Sequence, residues 1–317
     1  INQIISENIN SRNIQFNEDM FSPAENNTKE AEKISRPSLS YWSDVWRRLK
    51  QNKLAMLGLI LIILLTIMAI VGPYLNEYAY DKPDYTKKNL APNSEHWFGT
   101  DSAGRDLFTR AWYGARISLF IGLMAAVIEI GIGIVYGGIA GLRGGRIDNV
   151  MMRTAEVLYA IPYMLMVILM MVVMKPGIWP IIIAMSITGW IPMARLIRGQ
   201  VLQLKENEFI QASKASGAKT TWLLRKHLVP NTMGPILVNM TLTVPTAIFA
   251  EATLSFLGLG IAPPEASWGS LANDALTSIL IGNFYQLAIP AILISITMFA
   301  FNVLGDGLQD ALDPKLR

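Results

Sequence analysis

The chain has 317 residues, of which 52% are hydrophobic and only 16% are Asp, Glu, Lys or Arg, and its formal net charge is +3. A soluble globular domain typically has about 25% charged residues, so these charges are too few to cover a surface that faces water. The composition therefore excludes an ordinary soluble enzyme and a nucleic-acid-binding protein. The absence of cysteine excludes disulfides, thiolate metal sites and cysteine nucleophiles.

The chain begins with a polar region that precedes any long apolar run. Residues 1–39 are rich in Asn, Ser and Glu and predict a solvated cytoplasmic tail without a packed core. Residues 40–53 place Trp42, Val45, Trp46 and Leu49 at helical spacing, with basic residues on the other faces. This pattern predicts an amphipathic helix that lies in the membrane interface before the first span.

Six apolar blocks follow, and each is long enough to cross a hydrocarbon core, which takes about 20 residues in a helix. Backbone polar groups must be satisfied internally within lipid, so we expect these blocks to be helices. The predicted fold is all-α, a polytopic membrane protein with six transmembrane helices in residues 54–317. The predicted spans are 54–71, 117–140, 157–174, 178–194, 235–259 and 287–304.

The distribution of Lys and Arg predicts the orientation of the spans. These residues are concentrated before the first span, between the second and third, between the fourth and fifth, and after the sixth. Because basic residues favour the cytoplasmic side, both termini are predicted to be cytoplasmic. Residues 72–116 then form an outer loop, and residues 195–234 form a long cytoplasmic loop.

Two features inside the spans are interpreted as helix packing. Gly133, Gly137 and Gly141 recur every four residues, and small residues on one face allow a neighbouring helix to come close. Glu129 and Glu251 are carboxylates within the membrane, where an ionisable group is by default a functional hypothesis. Neither has an obvious basic partner, so packing is preferred for both, Glu251 among the packing residues, with transport chemistry as the open alternative.

The long cytoplasmic loop has a pattern of helix, glycine break and helix. The first helix is predicted over residues 206–216 and contains Ala212, Ser213 and other small residues. Gly217 fits a left-handed helix cap because it has no Cβ. A second helix is predicted over residues 220–228 and is expected to stop at Pro230.

This loop resembles the EAA loop of binding-protein-dependent ABC import permeases. The similar residues are 208–217 (EFIQASKASG) and 227–231 (HLVPN), with Gln211, Ala212 and Ser213 in place of the Glu-Ala-Ala triplet. The replacement keeps the small residues and loses a charge, although Glu208 is close by. The resemblance implies that residues 195–234 are a coupling loop and that Glu208, Gln211, Ala212, Ser213, Gly217 and Pro230 contact an ATPase.

Three further stretches resemble the C-type permease subunit of oligopeptide and dipeptide importers. They are residues 98–110 (FGTDSAGRDLFTR) with 113–119 (YGARISL), residues 251–260 (EATLSFLGLG) with 267–269 (SWG), and residues 302–314 (NVLGDGLQDALDP). The resemblance runs from about residue 40 to the end of the chain. Similar subunits serve dipeptides, oligopeptides, nickel chelates and opines, so the family is better defined than the substrate.

The resemblance implies a type I ABC importer permease in the bacterial inner membrane. Such a subunit is not an enzyme and forms one translocation path with a B-type permease. Two cytoplasmic ATPases bind the ATP, and an outer binding protein delivers the peptide. No cofactor or metal is expected in the chain itself.

Two other classes of protein are alternatives to this hypothesis. A secondary transporter needs an ion site near the midplane, for which Glu129 and Glu251 are the candidates. A membrane enzyme needs a catalytic set, and Ser216 and Lys219 have Ser-x-x-Lys spacing but lie in the coupling loop. The stretch around Lys219 also lacks the glycine that a phosphate-binding loop has before its lysine.

Overall fold

The computed structural model describes residues 41–312, so the predicted tail of residues 1–39 lies outside the described part. The chain divides into two units, Ile1–Ser43 and Asp44–Arg317, and the long apolar helices of the described range belong to the second. Every element of the described range is helical, apart from one isolated bridge between Thr100 and Asp106. The predicted all-α class is confirmed for these residues.

The helices are numbered in chain order. They are α1 (Tyr41–Gln51), α2 (Lys53–Val71), α3 (Leu107–Arg143), α4 (Gly145–Tyr159), α5 (Tyr163–Met174), α6 (Ile178–Thr188), α7 (Trp190–Leu204), α8 (Glu208–Ala215), α9 (Thr220–Leu223), α10 (Val229–Phe256), α11 (Trp268–Asp274), α12 (Leu276–Ile279) and α13 (Tyr285–Leu312), with a 3₁₀ turn at Gly72–Tyr74 and a π turn at Leu224–Leu228.

Five continuous helical segments are long and apolar enough to cross a membrane. They are Lys53–Tyr74, Leu107–Arg143, Ile178–Leu204, Thr220–Phe256 and Tyr285–Leu312. A sixth is present if the bent pair α4 and α5 counts as one span. The expected six spans therefore depend on a broken third span.

The third span is not the continuous helix predicted over residues 157–174. Helix α4 ends at Tyr159, α5 begins at Tyr163, and the two axes differ by 76°. Pro162 lies at the break, where its ring and missing N–H prevent the helix from continuing. The apolar sequence of residues 157–174 indicated a span, but it did not reveal the bend between Tyr159 and Tyr163.

The second span begins ten residues before the predicted one, so the outer loop is shorter than 72–116. Asp106 caps α3: its Oδ2 accepts a hydrogen bond from the Thr109 N–H at 2.8 Å. A carboxylate at this position satisfies an otherwise unpaired N–H at the start of a helix. Arg110 and Arg116, assigned to the loop from the sequence, therefore belong to α3.

The connection between the fourth and fifth spans is also shorter than the predicted 195–234. Helix α7 continues to Leu204, and the next span begins at Thr220. Pro230 does not end the helix. A π turn precedes it, and the Val229 N–H donates a hydrogen bond to the Leu224 carbonyl. The wider π turn shifts the hydrogen-bond ladder where proline has no N–H to contribute.

Helix α3 is the centre of the bundle, and its closest partner is α7. A Cβ on Gly133 would overlap Met193, one on Gly137 would overlap the Ala194 backbone, and one on Gly141 would overlap Val201. The three glycines therefore lie directly against α7. This contact places residue 201 beside residue 141, so residues 205–219 lie at the Arg143 end of α3.

The opposite end of the bundle is covered by a polar cap, defined here as residues 75–106 and 257–284. Gln286, in the first turn of α13, donates from Nε2 to the Thr100 carbonyl at 3.0 Å and to Asn89 at 2.9 Å. Trp268 is fully buried, and its Nε1–H donates to the Ala111 carbonyl at 3.0 Å. These contacts join the two parts of the cap to α3 and α13.

Candidate functional site

Helix α8, in the connection 205–219, has one buried residue that anchors it to the bundle. Ile210 is fully buried, and it is the buried residue of this helix. It packs in a cluster with side chains from α7, the π turn and α10, namely Met193, Ile197, Val201, Leu228 and Ile236. A displacement of α8 would therefore be transmitted to the ends of two spans.

A Schellman motif ends α8 at Gly217. The φ of Gly217 is 82°, its N–H donates to the Lys214 carbonyl at 2.9 Å, and the Ala218 N–H donates to the Ser213 carbonyl at 3.0 Å. The predicted left-handed cap is thus confirmed. A Cβ at Gly217 would meet no atom within 4 Å, so the requirement for glycine comes from the backbone conformation.

The remaining surface of α8 faces away from the bundle. Glu208, Gln211 and Ala212 are exposed, and Ser213 is half-buried with its hydroxyl donating to the Phe209 carbonyl at 2.8 Å. An open depression of about 630 Å³ lies between the end of α8 and Trp222. Small side chains on this face leave room for another protein to approach the helix.

Pro230, the last of the predicted coupling residues, lies outside α8. It lies in the first turn of α10, beyond the π turn. His227, in the π turn, contacts both α8 and α9: its ring centroid is 5.8 Å from that of Phe209 and 4.9 Å from that of Trp222. The predicted residues from 208 to 217 therefore belong to α8 and its cap, whereas Pro230 belongs to a different helix.

The two intramembrane carboxylates have different surroundings. Glu251 is fully buried, and its two oxygens accept hydrogen bonds from Ser118 at 3.0 Å and Ser255 at 2.7 Å. Glu129 is also buried, but no residue of the described range 41–312 donates a hydrogen bond to it or forms an ion pair with it. The sequence could not separate them, because Ser118 lies 133 residues before Glu251.

An ion-pair network in the polar cap was not predicted from the sequence. Arg110 is only 1% exposed, and its Nη2 donates to Asp274 Oδ2 at 3.1 Å. Arg105 donates to the same oxygen at 3.2 Å and from Nε to Asp101 at 2.7 Å. Burial raises the pKa of the Asp274 carboxyl above its ordinary value, and the two guanidinium groups oppose that shift.

Residues 41–312 contain no group of three or more His, Asp or Glu arranged to hold a metal ion. The stretch from Gly217 to Thr220 links two helices, and helix α8 rather than a strand precedes it. A phosphate-binding loop normally follows a strand, so this geometry does not correspond to one.

Two family models match the chain. The model of the binding-protein-dependent transport system inner membrane component matches residues 133–317. The model of the N-terminal TM domain of oligopeptide transport permease C matches residues 40–92. Together they include the connection 205–219 and the first span.

Curated relatives match nearly the whole chain. The dipeptide transport system permease protein DppC of Bacillus subtilis (strain 168) is 61% identical over 289 residues, which are 91% of this chain and 90% of that protein. The oligopeptide transport system permease protein OppC of the same organism is 57% identical over 300 residues, 94% of this chain and 97% of that protein. OppC of Escherichia coli (strain K12) is 41% identical over 289 residues, 90% of this chain and 95% of that protein.

Among solved structures, the methionine ABC transporter MetNI in an inward-facing conformation has a similar fold. The TM-score is 0.52 at 20% sequence identity, and the match covers 64% of this chain and 96% of that chain. At this identity the similarity concerns the fold alone.

The chain belongs to the inner membrane components of binding-protein-dependent transport systems. It is therefore a multi-pass, non-catalytic permease subunit that works with a binding protein and ATPases. Within the family it is a C-type permease of the oligopeptide and dipeptide ABC importers, as the sequence motifs predicted.

Proposed function

We propose that this chain forms half of the translocation path of an oligopeptide importer, with a B-type permease as the other half. The high identity to an oligopeptide permease, 57%, and to a dipeptide permease, 61%, supports a peptide substrate. The two values are too similar to choose a peptide length. Oligopeptides remain our prediction, with dipeptides, nickel chelates and opines as alternatives.

The exposed face of α8, anchored by Ile210, is the observation on which the proposed coupling role depends. Glu208, Gln211, Ala212 and Ser213 would lie in a groove of one ATPase, and Gly217 would end the inserted helix. Pro230 would affect coupling indirectly, by fixing the backbone where the π turn meets α10. The small side chains support close contact between α8 and the ATPase.

ATP binding would close the ATPase dimer and move α8 together with the ends of α7 and α10. Because Ile210 packs between these spans, their displacement would switch the path between inward-open and outward-open states. This is a two-state equilibrium that nucleotide binding biases. The ATP chemistry would belong entirely to two cytoplasmic ATPases.

The proposed orientation places both termini and residues 205–219 in the cytoplasm and the polar cap outside. An extracytoplasmic peptide-binding protein would deliver its ligand at the cap, and lipid would surround the spans. The excess of Lys and Arg in the connections at the Arg143 end of α3 supports this orientation. No nucleic acid is expected among the partners.

The test is uptake of labelled trialanine and dialanine by proteoliposomes that contain both permeases, both ATPases and the binding protein. We expect uptake to require ATP and to stop when the ATPases carry an inactivating substitution. Undiminished uptake without the ATPases would instead support an ATP-independent secondary transporter. A preference for dialanine would correct the predicted peptide length.

A further inference from the structure

A cavity of about 420 Å³ lies within the bundle, between α3, the bend from α4 to α5, the joint from α6 to α7, and α10. This volume is within the range of about 300–1,000 Å³ found for small-molecule sites. We call this cavity the chamber. The polar residues of its lining include Glu129, Tyr163, Thr188, Asn239, Thr243 and Thr246.

The chamber lies where two of the surrounding helices are interrupted. Tyr159 and Tyr163 flank the 76° bend between α4 and α5, and Gly189 joins α6 to α7. Irregular backbone at membrane depth is tolerated where it lines a cavity or is buried in protein. Broken helices are also where many transporters bind their substrates.

Glu129 brings an unpaired carboxylate to this cavity. The residue is 8% exposed and lines the chamber. Gly189 makes room for it, since a Cβ at that position would overlap the carboxylate. Tyr163 also lines the chamber, and its hydroxyl is buried without a hydrogen-bond partner in the described residues.

Arg195 follows the chamber residue Met193 by two positions but does not form an ion pair with Glu129. Arg195 stacks on the ring of Tyr159, with its Cζ 5.0 Å from the ring centroid. An uncompensated carboxylate inside a membrane protein is costly. Glu251 avoids this cost through two serine hydroxyls, whereas Glu129 has no corresponding donors in the described residues.

We propose that the chamber binds the ammonium group of a peptide in transit, with Glu129 as its counter-charge. This proposal rests on the proposed function, because a peptide is the substrate that brings an amino terminus to this depth. The ammonium group donates to Glu129 and to hydroxyl oxygens of the chamber, while the Tyr163 hydroxyl hydrogen-bonds the adjacent peptide group. Gly189 is the positioning residue that admits the carboxylate.

The test uses the complete nucleotide-free transporter in nanodiscs, with Thr246→Cys in this cysteine-free chain. Thr246 lines the chamber and is exposed, so N-ethylmaleimide modification of this chain can be followed by mass spectrometry. Trialanine and N-acetyl-trialanine are compared as protectants. Each is measured with Glu129→Gln, with Tyr163→Phe, and with Glu156→Gln as the control, since Glu156 is an exposed partner of Arg153.

We expect trialanine to protect Cys at position 246 and the acetylated peptide to protect it at least about tenfold less well, because a charge-assisted hydrogen bond is lost. Glu129→Gln should abolish this difference, Tyr163→Phe should weaken protection by both peptides, and Glu156→Gln should change neither. Equal protection by both peptides, no protection, or a difference that survives Glu129→Gln would overturn the proposal. ATP-dependent trialanine uptake by the same complex reports separately on the proposed function.

Discussion

Arg198 holds Asp148 through two parallel hydrogen bonds, of 2.5 Å from Nε to Oδ1 and 2.6 Å from Nη2 to Oδ2. The pair joins α4 to α7, 50 positions apart in the chain. Asp148 is nearly buried, and Arg198 is partly exposed. Since α4 leads into the bend, this contact helps to fix the position of the broken third span against α7.

We expect Asp148→Asn to destabilise the protein by about 1.5–3 kcal/mol, the usual contribution of hydrogen bonds to charged groups. Arg198→Lys should cause a comparable loss, because lysine keeps the charge but not the bidentate geometry. Thermal unfolding in detergent provides the measurement. Arg153→Gln is the control, since its ion pair with Glu156 is exposed; equal losses in all three variants would contradict this role.

Gly217→Val should reduce ATP-dependent uptake at least about tenfold, because a β-branched residue disfavours φ > 0 by about 1–2 kcal/mol and unravels the end of α8. Gly217→Asn should retain most of the uptake, since asparagine tolerates this conformation. Gly199→Ala is the matched control, because that glycine also faces open space but has no positive φ. Normal uptake by Gly217→Val would show that the cap is dispensable.

The orientation can be tested with two single cysteines in intact cells. Ser94 is exposed in the polar cap, and Ala212 is exposed on α8. In cells that do not express the ATPases proposed to cover α8, a membrane-impermeant maleimide should label Ser94→Cys and should reach Ala212→Cys only after permeabilisation. The reverse pattern would invert the proposed topology.

Glu251→Gln should leave uptake largely intact and change the free energy of unfolding by no more than about 1 kcal/mol. The amide retains one acceptor and gains a donor, and a serine hydroxyl can turn to accept it. Glu251→Leu should be worse by about 1–3 kcal/mol, because Ser118 and Ser255 both lose their acceptor. Abolished uptake in an assembled Glu251→Gln transporter would instead indicate a transport role.

The sequence predicted the features that depend on local backbone preferences. The cap at Gly217 follows from the missing Cβ, and the fold class follows from the apolar blocks. Pro230 and Pro162 show the limit of the same reasoning. Pro230 follows a π turn and does not end the helix, whereas Pro162 lies at the bend that breaks the third span. The outcome depends on the hydrogen bonds that the neighbouring turns make.

Long-range contacts explain what the sequence did not reveal about the site. Arg110 was assigned to an outer loop, yet its partner Asp274 lies 164 residues further along the chain. The contrast between Glu129 and Glu251 likewise depends in part on Ser118, which lies 133 residues before Glu251, although Ser255 is only four residues after it. A single sequence contains no signal for such pairings.

The length of α3 has a mechanical consequence. At 1.5 Å per residue, its 37 residues extend for about 55 Å, well beyond the hydrocarbon thickness of about 30 Å. A tilt about its middle would move its two ends in opposite directions, and the end near Arg143 carries the glycines that lie against α7. A single rigid helix of this length would transmit a displacement on one side of the membrane to the polar cap on the other.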